Sequence, residues 1–255
     1  MQKNILMVMV LVLAASMAGQ AQVFSSADFS KDAGYADGSV LGQPTNAASQ
    51  WTDANPGVPS VNFLVEDGKL SIIGDGTGGR WVYLPIPVQQ GVFNFSFEGV
   101  YVGDGTMTNI GVCLSDTENF NLDGNAVPTY NEQGGMIRFA DNGLIDVRNG
   151  DGVGGGSFTK LADVPYNDGV PFYVRAVVDA YLWNITVFVR KQGQTEETMI
   201  AEEYGFRRNN SPVTEGVNAL VIFDNNSDRS LPGIGLILDN FVLFGSTPVN
   251  EWSLF

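Results

Sequence analysis

Residues 150–155, GDGVGG, place Gly150, Gly152 and Gly155 in the G-x-G-x-x-G spacing of a dinucleotide-binding turn. That chemistry needs a strand before the glycines and a helix after them, so that helix N–H groups face the pyrophosphate. Here LIDVR reads as the strand, but SFTKLADV reads as another strand and not a helix. The triplet Gly-Asp-Gly also recurs at 74–76 and 103–105, each time between apolar runs. Such recurrence marks turns, in which Gly supplies positive φ and Asp caps its own backbone. The acids also miss the D-x-[DN]-x-[DN]-G register of an EF-hand. The stretch is read as a hairpin turned at Asp141-Asn142-Gly143, followed by a loop, and no nucleotide cofactor is expected.

A second set of residues suits sugar recognition, which needs an aromatic plate for the apolar face of a ring and polar groups around it. In RWVYLPI, Trp81 and Tyr83 share a face opposite Val82 and Leu84. By the same alternation Arg138 lies opposite Ile137 and Phe139, and Asp146 and Arg148 lie opposite Ile145 and Val147. Tyr173 and Arg175 lie opposite Phe172, Val174 and Ala176. If these wet faces belong to one concave sheet, they form a strip of aromatics, Arg and Asp. The alternative is that Trp81 and Tyr83 are core beneath segment 31–60. Trp183, sharing a face with Ile185, is expected to be buried. Trp51 is either a loop cap or a platform.

The elements that must position these residues are strands. In VFNFSFEG, Phe93, Phe95 and Phe97 alternate with Asn94, Ser96 and Glu98, the period of a strand with one buried and one wet face. The alternation recurs in KLSIIG, NIGVCLS, MIRFA, FYVRAVVD, WNITVFVR, NALVIF and GLILDNFVLF, separated by Gly, Asn, Asp and Pro. Segment 194–206, QTEETMIAEEYGF, is open between helix and strand. The expected fold is an all-β antiparallel sandwich.

Composition narrows the function. A formal net charge of −15 argues against nucleic acid, whose affinity comes from phosphate neutralisation, and disfavours polyanionic glycans. The absence of His removes Ser-His and Cys-His nucleophile pairs and imidazole zinc sites. The single Cys113 excludes an intramolecular disulfide and is expected to be inert. At the N-terminus, Lys3, the apolar ILMVMVLVLAA and the small residues of SMAGQAQ read as a signal peptide over 1–21. The expectation is therefore a secreted, periplasmic or surface protein with no membrane insertion. One domain over 22–247 would be followed by a short tail, 248–255, docked on the domain or on a partner.

The order of the runs resembles the concanavalin A-like jelly-roll superfamily, and within it the laminin-G-like secreted bacterial domains. DFSKDAGYADGSVLGQ, DGVPFYVRAVVDAYLWNITVFV and GLILDNFVLFG carry the resemblance. It implies two packed antiparallel sheets and a role as lectin, adhesive module, glycosidase or lyase. It also implies a structural Ca²⁺ where first and last strands meet, for which Asp28 and Asp239 occupy comparable positions. Two acids alone do not fill the six to eight oxygens calcium takes. The laminarinase-like E-x-D-x-x-E motif is missing. Glu196–Glu197 and Glu202–Glu203 are consecutive and would point to opposite faces of a strand. A lyase would have to use Tyr173 with Arg175 or Arg138, and no spacing demands it. The expectation is non-catalytic binding of a polysaccharide or cell-surface glycan, or of a protein partner. The alternatives are a polysaccharide-active enzyme and a purely structural surface protein.

Overall fold

The computed structural model describes residues 23–45, 49–53, 63–73, 80–103, 109–117, 133–209, 216–224 and 235–245. The signal peptide and tail expected at 1–21 and 248–255 lie outside them. Among the described residues there are sixteen strands and no α-helix. They are β1 (Val23–Ala27), β2 (Gly38–Ser39), β3 (Thr52–Asp53), β4 (Phe63–Glu66), β5 (Lys69–Ile73) and β6 (Arg80–Gln89). There follow β7 (Val92–Val102), β8 (Ile110–Ser115), β9 (Gly135–Phe139), β10 (Ile145–Asn149) and β11 (Ser157–Thr159). The last are β12 (Phe172–Asp179), β13 (Asn184–Lys191), β14 (Thr198–Gly205), β15 (Val217–Asp224) and β16 (Gly235–Gly245).

These strands make two antiparallel sheets. Sheet A runs β14-β13-β12-β7-β16-β5-β4-β2, with β1 paired to the C-terminal half of β16. Sheet B runs β11-β10-β9-β8-β15-β6-β3. Period-two alternation turns one face of each sheet inward. Phe93, Phe95 and Phe97 of β7 and Val174, Ala176 and Val178 of β12 are buried from sheet A. Val82, Leu220, Ile222, Ile137, Phe139, Ile145 and Val147 meet them from sheet B in the same core. Phe97 joins the layers, its ring 5.3 Å from that of Phe241 in sheet A and 6.3 Å from that of Phe139 in sheet B.

Segment 194–206, open between helix and strand in the sequence, holds the strand β14. Glu196 and Glu197 precede this strand, and the Glu202–Glu203 pair within it departs from a flat strand. Glu203 takes a positive φ of 52°, and two residues of β14, Glu202 and Glu203, oppose the single Thr186 of β13 at this bulge. The extra residue breaks the alternation, so Glu202 and Glu203 are both exposed rather than on opposite faces. The hairpin at 141–143 forms as expected: Gly143 has φ of 80°, and β9 pairs β10 on either side of it. In the loop that follows, the Asp151 carboxylate accepts the N–H groups of Val153 (3.0 Å) and Gly155 (2.8 Å). These bonds hold its pKa below the usual range. Gly152, Gly154 and Gly156 all lie at positive φ, which is turn chemistry.

Candidate functional site

The seven residues expected in one strip fall on two opposite faces. Trp81, Tyr83, Arg138, Asp146 and Arg148 belong to β6, β9 and β10 of sheet B. Tyr173 and Arg175 belong to β12 of sheet A. Alternation finds which residues turn away from the core, although Asp146, Arg175, Asn94 and Ser96 among them are buried rather than wet, and it carries no information on which sheet the strand joins.

On sheet B the outward face is only partly wet. Register places Trp81 opposite Phe223, Phe223 opposite Gly111, Gly111 opposite Arg138 and Arg138 opposite Asp146. Trp81 lies 4.9 Å from the Phe223 ring, and both Trp81 and Tyr83 pack on a second apolar cluster of Cys113, Met136, Ala219, Val221 and Phe223. Burial pushes the Cys113 thiol well above its usual range, consistent with an inert packing residue. Arg138 grips Asp146 through two bonds, Nε to Oδ1 at 2.9 Å and Nη2 to Oδ2 at 2.7 Å. Its guanidinium lies 3.7 Å above the Phe158 ring, and that of Arg148 lies 5.1 Å from it. Trp81 and Tyr83 are thus half-buried on a small core of their own, with a satisfied ion pair beside them. Segment 31–60 contributes β3, which pairs alongside β6 at Tyr83 and Val82. Trp51 is core, fully buried with its indole N–H donating to the Tyr35 hydroxyl at 3.1 Å. Trp183 is partly buried against the main core.

On sheet A the outward face carries an open cleft of about 420 Å³. One row of residues crosses it at a single level. Arg190 of β13 is opposite Tyr173 of β12, Tyr173 is opposite Glu98 of β7, and Glu98 is opposite Asp239 of β16. Lys69 of β5 completes the lining beside Asp239. The next row is apolar, with Val100 of β7 opposite Ile237 of β16, both lining the cleft with Pro171. The β13–β14 turn, Gln192–Gln194, forms a wall. The Arg190 guanidinium lies 5.4 Å from the Tyr173 ring. Arg175 sits outside this cleft, its Nε and Nη2 bound to Glu197 with an Nη2–Oε2 distance of 2.5 Å, and its guanidinium 4.2 Å from the Phe188 ring.

A bulge in β16 sets the two acids. Asp239 opposes Glu98 and Val242 opposes Ser96, so three steps on β16 match two on β7. Asn240 is the extra residue, at φ of 55°. Its backbone N–H donates to Asp239 Oδ1 at 2.8 Å and its side-chain amide donates to Glu98 Oε2 at 3.2 Å. Burial, with Glu98 and Asp28 nearby, pushes the Asp239 carboxyl above its ordinary range, while the Asn240 N–H and Lys69 pull the other way. Neither Glu98 nor Lys69 was singled out by sequence as a ligand contact, whereas alternation put Arg190 on the candidate face with Phe188. The alternation in FNFSFEG placed Glu98 on a wet face, but its neighbours come from strands distant in the chain.

No protein-family model and no curated protein matches the chain. Solved structures do match. Arcelin-5, a lectin-like defense protein from Phaseolus vulgaris, aligns at a TM-score of 0.51 with 10% identity, over 80% of this chain and 95% of that one. The fold is the concanavalin A-like jelly roll. The VIP36 exoplasmic/lumenal domain, in its Ca²⁺/Man3GlcNAc-bound form, aligns with this jelly roll at 0.50 with 9% identity, over 84% and 92% of the two chains. The CBM2 module of the evolved Dit of Lactobacillus casei BL23 phage J-1 aligns at 0.51 with 10% identity, over 90% and 98%.

The calcium site implied for this jelly roll at Asp28 and Asp239 does not fit the residues present. Asp28 Oδ1 already accepts the Ser30 hydroxyl at 2.8 Å and the Ser30 N–H at 3.2 Å. Asp239 Oδ1 is held by Asn240. Among the described residues no group of three or more Asp, Glu, Cys or His side chains is arranged to hold a metal ion. Calcium needs six to eight oxygens, so these two acids are better read as local hydrogen-bond acceptors, Asp28 for Ser30 and Asp239 for Asn240. Added calcium and EDTA are expected to leave the melting temperature unchanged. A calcium site filled at a hundred times its Kd would add about 2.7 kcal/mol, or about 5–10 °C for a chain of this length. A shift of that size on EDTA treatment would restore the metal.

Proposed function

We propose that the protein is an exported, non-catalytic carbohydrate-binding module that takes a polysaccharide or cell-surface glycan into the sheet A cleft, over Tyr173. The observation that carries this reading is the row Arg190–Tyr173–Glu98–Asp239 across one open cleft, with the apolar row Val100–Ile237 beside it. A pyranose ring has apolar C–H faces and hydroxyl edges, so it needs an aromatic surface, an apolar floor and fixed acceptors and donors. Tyr173, Val100 and Ile237 offer the first two, and Glu98, Asp239 and Arg190 the third. The fold adds support, because jelly-roll neighbours include a lectin-like protein, a domain bound to Man3GlcNAc and a CBM2 module. Export rests on the signal-peptide pattern at 1–21. The sheet B face, with Trp81, Tyr83, Arg138, Asp146 and Arg148, is the second place proposed for a glycan, with its Arg and Asp already engaged with each other.

A glycan array followed by titration calorimetry on wild type, Tyr173→Ala and Trp81→Ala tests the assignment. Tyr173→Ala is expected to weaken binding about tenfold to thirtyfold, the cost of an aromatic anchor, with Trp81→Ala near wild type. The reverse pattern moves the ligand to sheet B.

One observation favours a hydrolytic second reading. Glu98 and Asp239 are directly opposed across two strands, which sets their Cβ atoms about 4.5–5.5 Å apart. Retaining glycosidases use two carboxyls about 5–5.5 Å apart, and the raised pKa of Asp239 suits a general acid. Reducing-end release from polysaccharides by wild type, and its loss in Asp239→Asn, would select this reading over pure binding.

A further inference from the structure

We propose that the cleft holds an internal stretch of an extended, uncharged polysaccharide, lying across the strands, with one contact centred on Tyr173 and a second on Asp239 and Lys69. This inference rests on the carbohydrate-binding reading and adds the class, direction and minimum length of the chain.

Direction and length come from the register. The polar row steps from β13 through β12 and β7 to β16, one residue per strand, and Lys69 of β5, next to the Leu70 that opposes Leu238, follows beside Asp239. Four inter-strand spacings of about 4.8 Å make the row about 19 Å long, several sugar rings rather than one. Its end members, Arg190 and Lys69, are both exposed. No described side chain of the row therefore closes off either end, as binding of an internal stretch requires. The apolar pair Ile237 and Val100 follows the same direction one step along, directly opposed across β16 and β7. A chain lying across the strands keeps ring faces over this floor and hydroxyl edges toward the polar row. One lying along a strand would alternate between the two rows.

The absence of charge on the ligand comes from the balance of the lining. The acids Glu98 and Asp239 are matched by the cations Arg190 and Lys69. The remaining lining cation, Lys191, is neutralised by Asp168 at 2.5 Å and also donates to the Pro165 carbonyl at 2.8 Å. A uronate chain would meet two carboxylates at the centre of the row, and a chain with net charge of −15 repels it at longer range. An amino-sugar polymer would meet a cation at each end.

The two contacts are separable because different elements hold them. Tyr173 stands on β12 with Arg190 beside it, whereas Asp239 and Glu98 are held by the Asn240 bulge of β16. Calorimetry on the whole chain with β-1,3- and β-1,4-gluco-oligosaccharides, manno-oligosaccharides and xylo-oligosaccharides of one to six units tests this. Hexagalacturonate and glucosamine hexamer serve as charged comparators. Affinity for at least one neutral series is expected to rise about tenfold between dimer and tetramer, the yield of one further hydrogen bond to a charged group, and then to level. Asp239→Asn and Lys69→Met are expected to remove that rise, so that dimer and tetramer bind alike, and Tyr173→Ala to weaken every length. A monomer that binds as tightly as the hexamer, or preference for either charged hexamer, overturns the inference and leaves a glycan-binding cleft. Binding of none of the sugars overturns the carbohydrate reading itself. Native circular dichroism of each variant separates loss of contact from loss of fold.

Discussion

Phe97→Ala is expected to lower the unfolding free energy by about 3–5 kcal/mol, the cost of truncating a fully buried aromatic. Phe97 is wholly buried in β7, the strand that also carries Glu98 to the cleft. Its ring meets Phe95 at 5.6 Å, Phe241 at 5.3 Å and Phe139 of the opposite sheet at 6.3 Å. Removing it opens a cavity between the two layers, and the flanking rings cannot close it without moving the sheets toward each other. Urea denaturation monitored by fluorescence would read the loss as a lower midpoint with little change in slope. A loss below about 1 kcal/mol, the scale of an ordinary surface substitution, would mean that the rings are not shared between the sheets in this way. Phe97→Leu, which keeps an apolar side chain of closer volume, is expected to recover a large part of the loss.

Gly111→Val is expected to be the most damaging single change on the outward face of sheet B, destabilising by about 3 kcal/mol. Gly111 faces Phe223 across the β8–β15 pair, and the Phe223 ring occupies the place where a Cβ at Gly111 would stand. Gly111 is not among the glycines at positive φ, so the effect is steric rather than conformational. The Phe223 ring would have to leave its position 4.9 Å from Trp81, and a change in tryptophan emission would report that movement separately from unfolding. Pairing Gly111→Ala with Phe223→Leu makes a double-mutant cycle. Strong coupling of the two is expected, because one ring fills the space left by the other residue. Additive effects would remove this account of the glycine. The same variants leave the sheet A cleft intact, so their glycan affinity is expected to match wild type.

Much of the fold is legible because its signal is local. Phe93, Phe95 and Phe97 announce a buried face by themselves, and MIRFADNGLIDVR announces a hairpin through its Asn-Gly turn and flanking alternation. Even the β16 bulge leaves a trace. Leu236 and Leu238 face the core at even positions, and Phe241 and Leu243 at odd ones. An inserted residue is the only way to keep both pairs inward, and Asn, which tolerates positive φ better than most residues, stands at the switch. The Glu202–Glu203 bulge is harder to read, because Ile200 and Ala201 beside it are both buried and mask the change of phase.

The site is less legible, for a different reason. Arg175 reads as a ligand-facing residue and is locked to Glu197, the residue before β14. Arg138 and Asp146 looked like free sugar contacts and hold each other. Asp239 looked like a metal ligand, and stands opposite Glu98 on a cleft rim. For Arg175 and Asp239 the partner is not legible in the sequence, because it comes from an element brought alongside by sheet order, whereas Asp146 faces Arg138 across the hairpin that the sequence already marks.

Sequence alone determined most of the strands outside 194–206 and the core-facing side of the clearly alternating ones, the turn at 141–143, and that no imidazole chemistry and no intramolecular disulfide is available. Those properties follow from the two-residue period of a strand, from turn stereochemistry and from composition, all of which act within a few residues. Tertiary structure alone decided that Trp81 and Tyr83 lie on one face of the sandwich and Tyr173 on the other, and that Tyr173 joins Arg190, Glu98, Asp239 and Lys69 in one cleft. Strands β5, β7, β12, β13 and β16 reach that common level only through pairing across the sheet. Pairing order is set by how the whole set of apolar faces buries itself at once, a property of the assembled sheets and not of any one segment.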